Sequence, residues 1–306
     1  MMASMHAQRA QLPDGRWHFQ HGPMDIIIGA AGDAAALQVA HAQAWERFKT
    51  ILQELVQELP LLRKPVQGEC PVDGPIARRM WLACEPYQSS VISPMAAVAG
   101  SVAQELLQFY QVGGIQRAWI NNGGDIALHL AASQSVRVGL YSNLKKFDSQ
   151  QLQNGITVDG QFEICSDSDV RGVATSGWRG RSFSLGIADS VTVLAPTSAQ
   201  ADAAATVIAN AVNLEDTHII RRPANDVKDD SDLGCRMVTV DVPPLAPRLV
   251  QQALVAGLAC ALTLHAQGLI CSAVLVCQNQ CTSTDAMKNH MADTASTLAP
   301  SGTEYA

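Results

Sequence analysis

Residues 170–212 read VRGVATSGWRGRSFSLGIADSVTVLAPTSAQADAAATVIANAV, and this stretch decides the fold. A glycine- and serine-rich turn is followed by two strand-like runs and then by a helix entered through Pro196, Thr197 and Ser198. The stretch also gathers Thr175, Ser176, Asp189, Asp202 and Thr206. Oxygen ligands and small donors beside flexible backbone are the material of a phosphate or Mg2+ site. Asp202 and Thr206 are four residues apart and share one helix face. Taken alone, Asp202 is equally a favourable carboxylate near the positive end of its own helix.

Upstream, residues 116–130 (QRAWINNGGDIALHL) predict strand, polar turn, strand. Asn121-Asn122-Gly123-Gly124-Asp125 serves as a hairpin turn, since Asn and Gly tolerate positive φ. The same glycines would leave backbone N–H groups open to a ligand, with Asp125 placed to bind a hydroxyl or orient a cation. Between Pro94 and residue 112 the spacing predicts a helix whose first turns are almost all Ala, Gly and Ser. Tight packing explains such a surface, and so does a flat ligand lying against it.

The N-terminal part predicts a hairpin at 17–29 around His21-Gly22-Pro23, then a long helix capped by Asp33 and ended by Pro60. A proline-rich connection spans 61–74, and a shorter helix 75–84. Further strands are expected at 136–141, 155–158, 161–165, 171–175 and 235–242. A helix at 247–267 and a strand at 269–277 close the fold, which occupies residues 1–277; residues 278–306 have low hydrophobicity and no period and are expected to be disordered. Short strands grouped between helices, without regular alternation, indicate an α+β fold. The polar stretch 213–234 reads as a surface excursion with a solvated Arg221-Arg222 pair.

Composition narrows the function classes. Charged residues are 16% of the 306, hydrophobic ones 47%, and the net charge is -7. No basic stripe is present, which disfavours a nucleic-acid partner. The eight cysteines contain no Cys-x-x-Cys pair and fit reduced thiols in a cytoplasmic protein. Residues 1–23 lack the pattern of a signal peptide, and the apolar window 249–276 is split at Gly268, so no membrane partner is expected. Open sheet edges and small-residue helices would suit a homodimer.

NNGGDIAL (121–128), VATSG (173–177) and SVTVLAPTSAQADAAATVIANAV (190–212) occur in the order and spacing of the ApbE-like superfamily, which includes FAD:protein FMN transferases. With GRSFSLGIADSVTV and the long N-terminal helix, the chain most resembles a compact uncharacterised-protein-family (UPF) branch of that superfamily. The resemblance implies two related β-α-β modules joined into one body, with long N- and C-terminal helices. It places Asn122, Gly123, Gly124 and Asp125 along a flavin dinucleotide, Thr175, Ser176 and Gly177 near its phosphates, and Mg2+ on Asp202 and Thr206. Asp189 is a third candidate ligand or catalytic carboxylate, and Ser176 a candidate nucleophile with no histidine nearby in sequence to activate it.

Two features of the transferases are absent. Their histidine between the ATSG and SVTV motifs has no counterpart in 181–189, and 95–103 carries no lysine, leaving Arg179, Arg181 or the metal to face a pyrophosphate. The implied readings are therefore a Mg2+-dependent phosphotransferase or pyrophosphatase acting on FAD or a related nucleotide, a non-catalytic accessory binding protein, and a step in tetrahydromethanopterin-type one-carbon metabolism.

Overall fold

A computed structural model describes residues 6–90, 92–140, 160–180, 182–229 and 231–284. The strand expected at 155–158, Tyr141, Arg181 and the tail from 285 onward lie outside the described residues.

Strands β1 (Gln8–Gln11), β2 (Trp17–His21) and β3 (Met24–Gly32) are antiparallel neighbours. The expected turn between β2 and β3 is present, with Gly22 at φ 57°. Phe19, Ile26 and Ile28 point from these strands into the core. Helix α1 (Ala34–Leu62) starts where Asp33 accepts the N–H groups of Ala35 and Ala36, both at 3.0 Å. Its buried residues Ala40, Ala44, Phe48, Ile51 and Leu55 recur at intervals of three and four. Pro60 does not end the helix as expected. It lies in the last turn, where it removes a single backbone bond, and the fully buried Leu62 holds the chain helical beyond it.

Helix α2 (Pro75–Cys84) matches the expected span. The single helix expected after Ser93 is divided into a 3-10 turn (Pro94–Ala97), α3 (Val98–Leu107) and a second 3-10 turn (Gln108–Tyr110). The break lies at Ala97, whose φ of -124° and ψ of 17° are not helical. Then come β4 (Ile115–Asn122), β5 (Asp125–Leu130), the hairpin β6 (Ser135–Leu140) with β7 (Gly160–Cys165), β8 (Gly172–Ser176), β9 (Ser190–Ala195) and α4 (Ser198–Ala211).

The excursion after α4 is ordered. It forms β10 (Ile220–Pro223), the single turn α5 (Ala224–Val227) and β11 (Met237–Asp241), and β10 pairs with β11. Arg221 is not simply solvated, because its guanidinium donates to Asn213 Oδ1 at 2.7 Å and to the Leu214 carbonyl at 3.2 Å. Helix α6 (Pro247–Ala266) is long and apolar enough to cross a membrane by length and composition alone. One face of it, through Val250, Ala253, Leu254, Gly257, Ala261 and Leu264, is buried. Strand β12 (Ser272–Cys277) follows. The expectation of disorder from 278 fails at β13 (Gln280–Ser283), which pairs with β12 through a tight turn at Gln278-Asn279. Backbone pairing recruits this polar segment, which carries no hydrophobic period to announce it.

Among the described residues the main sheet runs β1-β2-β3-β4-β5-β8-β9-β12-β13, antiparallel throughout, and the fold is α+β. Beyond the edge strand β1 it is built from two similar quartets. Strands β2-β3 and β4-β5 enclose α1 to α3 between their middle members, and β8-β9 and β12-β13 enclose α4 to α6 in the same way. One large apolar core joins the helices to the sheet. A second, containing Trp119, Leu128, Val173 and Leu194, seats the β6-β7 hairpin through Val136, Val138, Phe162 and Ile164. All eight cysteines are free thiols.

Candidate functional site

The glycine corner is first of all a turn. Asn122 and Asp125 form the last pair of the β4-β5 hairpin, and Gly123 and Gly124 close it at φ 68° and 112°. Both angles lie in the left-handed region, so glycine is needed. Asn121 Oδ1 accepts the Gly124 N–H at 2.8 Å. The two residues flanking the turn, however, face inward. Asn122 is 8% exposed and donates through Nδ2 to the Ala99 carbonyl at 3.2 Å, and Asp125 is 9% exposed and accepts the Thr175 N–H at 3.3 Å.

From the opposite side, Asp202 on α4 reaches the beginning of α3. Its Oδ2 accepts the Gly100 N–H at 2.9 Å, and the Ala99 N–H also bonds the carboxylate. These are first-turn amides with no partner inside their own helix, so Asp202 caps a neighbouring helix. Its own helix is capped by Thr197, which accepts from Gln200. The approach depends on Gly100. A Cβ there would stand 2.3 Å from the Ser198 carbonyl oxygen and 3.0 Å from Asp202 Cβ. The run of small residues in α3 thus packs against another helix, and it opens the helix start to a side chain. Thr206 lies one turn further along α4, half-buried.

The two carboxylates share one enclosed place. Burial pushes the Asp125 carboxyl up to about 7, and the Thr175 N–H opposes the rise. Burial also raises Asp202 well above the ordinary carboxylate value, the charge of Asp125 raises it further, and the Gly100 and Ala99 amides oppose both. As a whole residue Asp202 is only half-buried, yet its carboxyl group is wrapped by protein, and it is the carboxyl group that sets the proton affinity. Two acids so placed hold a proton between them or take a cation.

The family profile described as AbpE bacteria matches residues 9–284. The chain belongs to that family. Curated relatives bear the name UPF0280 protein. The one from Methanosarcina barkeri is 32% identical over 200 residues, covering 64% of this chain and 72% of its own. Those from Methanothrix thermoacetophila and Methanothermobacter thermautotrophicus are each 34% identical, over 54% and 55% of this chain, and the match spans only 65% and 60% of their own lengths. Among solved structures, the apo flavinyl transferase ApbE of Pseudomonas stutzeri is similar over 92% of this chain and 94% of its own, at 12% identity and a TM-score of 0.39. The ApbE protein of Thermotoga maritima gives 88%, 93%, 12% and 0.40.

In this AbpE-family chain the remaining candidates divide into two groups. Thr175, on β8, is exposed and its hydroxyl meets that of Thr192 at 2.9 Å, while its amide serves Asp125. Ser176 is half-buried and Gly177 buried beside the backbone carbonyls of Ala188 and Asp189. Asp189 belongs to a different set of contacts. Its Oδ1 lies 2.9 Å from Arg179 Nε, an ion pair out of hydrogen-bond alignment, and its Oδ2 accepts the Gln278 N–H at 2.6 Å. The charged residue beside Asp202 is Asp125, whereas Asp189 and Arg179 face Cys277. Sequence reasoning missed the α3 amides at Ala99 and Gly100 and the anchoring role of Asn122. Gly100 was the available signal, a residue that loses helix stability of about 1 kcal/mol relative to Ala and so needs a reason to be there.

Proposed function

We propose that this AbpE-family chain binds a flavin dinucleotide or a related nucleotide beside the start of α3, with a divalent cation at Asp202 and Thr206, and acts on its pyrophosphate as a metal-dependent phosphotransferase or pyrophosphatase. The observation that carries this reading is the buried pair of Asp125 and Asp202, the first met by the Thr175 amide and the second by the Gly100 and Ala99 amides at a helix start, because an acid pair in such a place is stabilised by a cation. The three motifs resembling the ApbE-like superfamily support a flavin-type ligand.

The donor set fits Mg2+. Carboxylate and hydroxyl oxygens are its ligands, and it binds through one or two carboxylates with water and substrate phosphate filling the remaining positions. Among the described residues no three His, Cys, Asp or Glu side chains form a ligand cluster, so such a shell would rely on oxygens from the substrate. When bound, the ion would neutralise pyrophosphate charge and polarise a phosphoryl oxygen. In this reading Asn122 and Asp125 would line the inner side, the exposed Thr175 and the half-buried Ser176 would offer donors to phosphate, and Arg179, paired with Asp189, would be the cation reaching in from a separate set of contacts.

A second reading, binding without turnover, is favoured by one specific observation: Asp202 is already committed to the Gly100 amide, and residues 95–103 supply no basic side chain. Titration of the purified full chain with FAD, with and without Mg2+, followed by chromatography for FMN and AMP, separates the two. Mg2+-dependent binding with product, lost in Asp202→Ala, supports the enzyme. Metal-independent binding without product supports the binding protein, and an absence of flavin or nucleotide binding defeats both.

A further inference from the structure

A cavity of about 590 Å3, whose lining includes neither Asp125 nor Asp202, lies between α2, α3 and the first turn of α4. Its volume is within the roughly 300–1,000 Å3 of small-molecule sites. Its walls combine Arg78 and Arg79 from α2, Gln104 from α3, Thr197 at the cap of α4 and Gln200 on it, and the apolar Leu82, with Asp73 as the lining carboxylate. We propose that this cavity is a second binding site, for a small organic oxyanion with an apolar body.

The two arginines are differently committed. Arg79 donates to Glu105 Oε2 at 2.9 Å and to the Ser101 carbonyl at 3.1 Å, which fixes it in place. Arg78 is exposed, and its guanidinium contact to the Val72 carbonyl is long, at 3.4 Å, so its charge is available to a ligand. Guanidinium groups bind phosphate and carboxylate in fork geometry. Glu58, the other acid near this end of α2, spends its two oxygens on the amides of Asp73 and Gly74.

The α4 wall adds donors of the same sense. The Ala199 N–H reaches Gln104 Oε1 at 3.4 Å and the Gln200 N–H reaches Thr197 Oγ1 at 3.3 Å, both long for this kind of bond. The apolar share of the wall, with Leu82 53% exposed at a place where water gains nothing from it, accounts for the apolar body.

Calorimetric titration of the full chain with phenyl phosphate, benzoate and inorganic phosphate tests the site, the first two distinguishing the two kinds of oxyanion head. Phenyl phosphate or benzoate binds wild type more tightly than inorganic phosphate does, and Arg78→Glu weakens the organic probe about tenfold or more. Leu82→Asp removes the advantage of the organic probes over inorganic phosphate. Gln200→Glu, which places a like charge in the same cavity, gives a second loss should Arg78→Glu fail to fold. No heat with any of the probes, unchanged affinity in both charge variants, or a parallel loss of FAD binding in Arg78→Glu overturns the proposal.

Discussion

The Asp202 carboxylate on α4 accepts the Gly100 backbone N–H on α3 at 2.9 Å, so a single side chain both closes a helix start and joins the two quartets of the sheet through their helices. Its two duties can be separated by substitution. Asp202→Asn keeps an acceptor for the amides and removes the buried charge, so in metal-free buffer at pH 8 it unfolds in urea no earlier than wild type. Asp202→Ala leaves the amides unpaired and loses about 1–3 kcal/mol. Both variants lose Mg2+-dependent FAD binding; an Asn variant that still needs Mg2+ to bind FAD would remove Asp202 from the metal.

Gly100→Ala places a methyl group against the Ser198 backbone, 2.3 Å from its oxygen and 2.7 Å from its carbonyl carbon. The gain in helix propensity of about 1 kcal/mol is outweighed by overpacking of about 1–3 kcal/mol or more, because the obstacle is backbone and cannot rotate away. Chemical denaturation should show a lower midpoint at unchanged slope.

Asp125 makes stability depend on pH. Burial lifts its carboxyl from the ordinary 3.8 to about 7 in the folded chain, so between those values the native state binds more protons than the unfolded one. Stability is therefore highest at the acid end of that window and falls as pH rises through it, with a slope approaching about 1.4 kcal/mol per pH unit. Asp202, raised as well, continues the fall upward. Asp125→Asn flattens the profile measured by urea unfolding at successive pH values, and a profile identical to wild type would contradict the assignment.

Glu105 is 4% exposed and carries two arginines, Arg47 Nε at 2.8 Å and Arg79 Nη1 at 2.9 Å, tying α1, α2 and α3 together. Glu105→Ala leaves the half-buried Arg79 guanidinium without a carboxylate, while Arg47 keeps Glu54, and lowers stability by about 1–3 kcal/mol. Glu105→Gln retains acceptor geometry and loses less, which calorimetric melting of the pair of variants will show.

Asp189→Ala removes the acceptor of the Gln278 N–H and the partner of Arg179, so the β12-β13 turn loosens. The expected loss is about 1–3 kcal/mol, with faster hydrogen exchange at the Gln278 amide. A fully stable variant devoid of turnover would instead give Asp189 the catalytic role that its place in the sequence invited.

Much of the architecture was written in local pattern. The three-and-four spacing from Ala40 to Leu55 fixed α1, Asn-Gly-Gly-Asp fixed the β4-β5 turn, and strand groups between helices fixed the α+β class. Pro60, Ala97 and β13 were misread because each is settled by packing or pairing that hydrophobic period does not display: Leu62 buried in the core, a kink before α3, and β12 as a pairing partner. The excursion after α4 escaped for a similar reason, since the β10-β11 pairing and the Arg221 bond to Asn213 are contacts that no periodicity announces.

For the candidate site, the sequence by itself determined which residue types were available, namely the glycines of the corner, Asp125, Thr175 and the Asp202-Thr206 face. Tertiary packing alone brings Asp125 beside Asp202, with Asp202 on the amides of α3 and Asp125 on the Thr175 amide, and sends Asp189 instead to Arg179 and Gln278. The physical reason is one of range. Periodicity and turn chemistry act over a few residues and are visible in the chain, whereas burial of a charge, and the company it keeps there, are properties of packed elements that no short stretch contains.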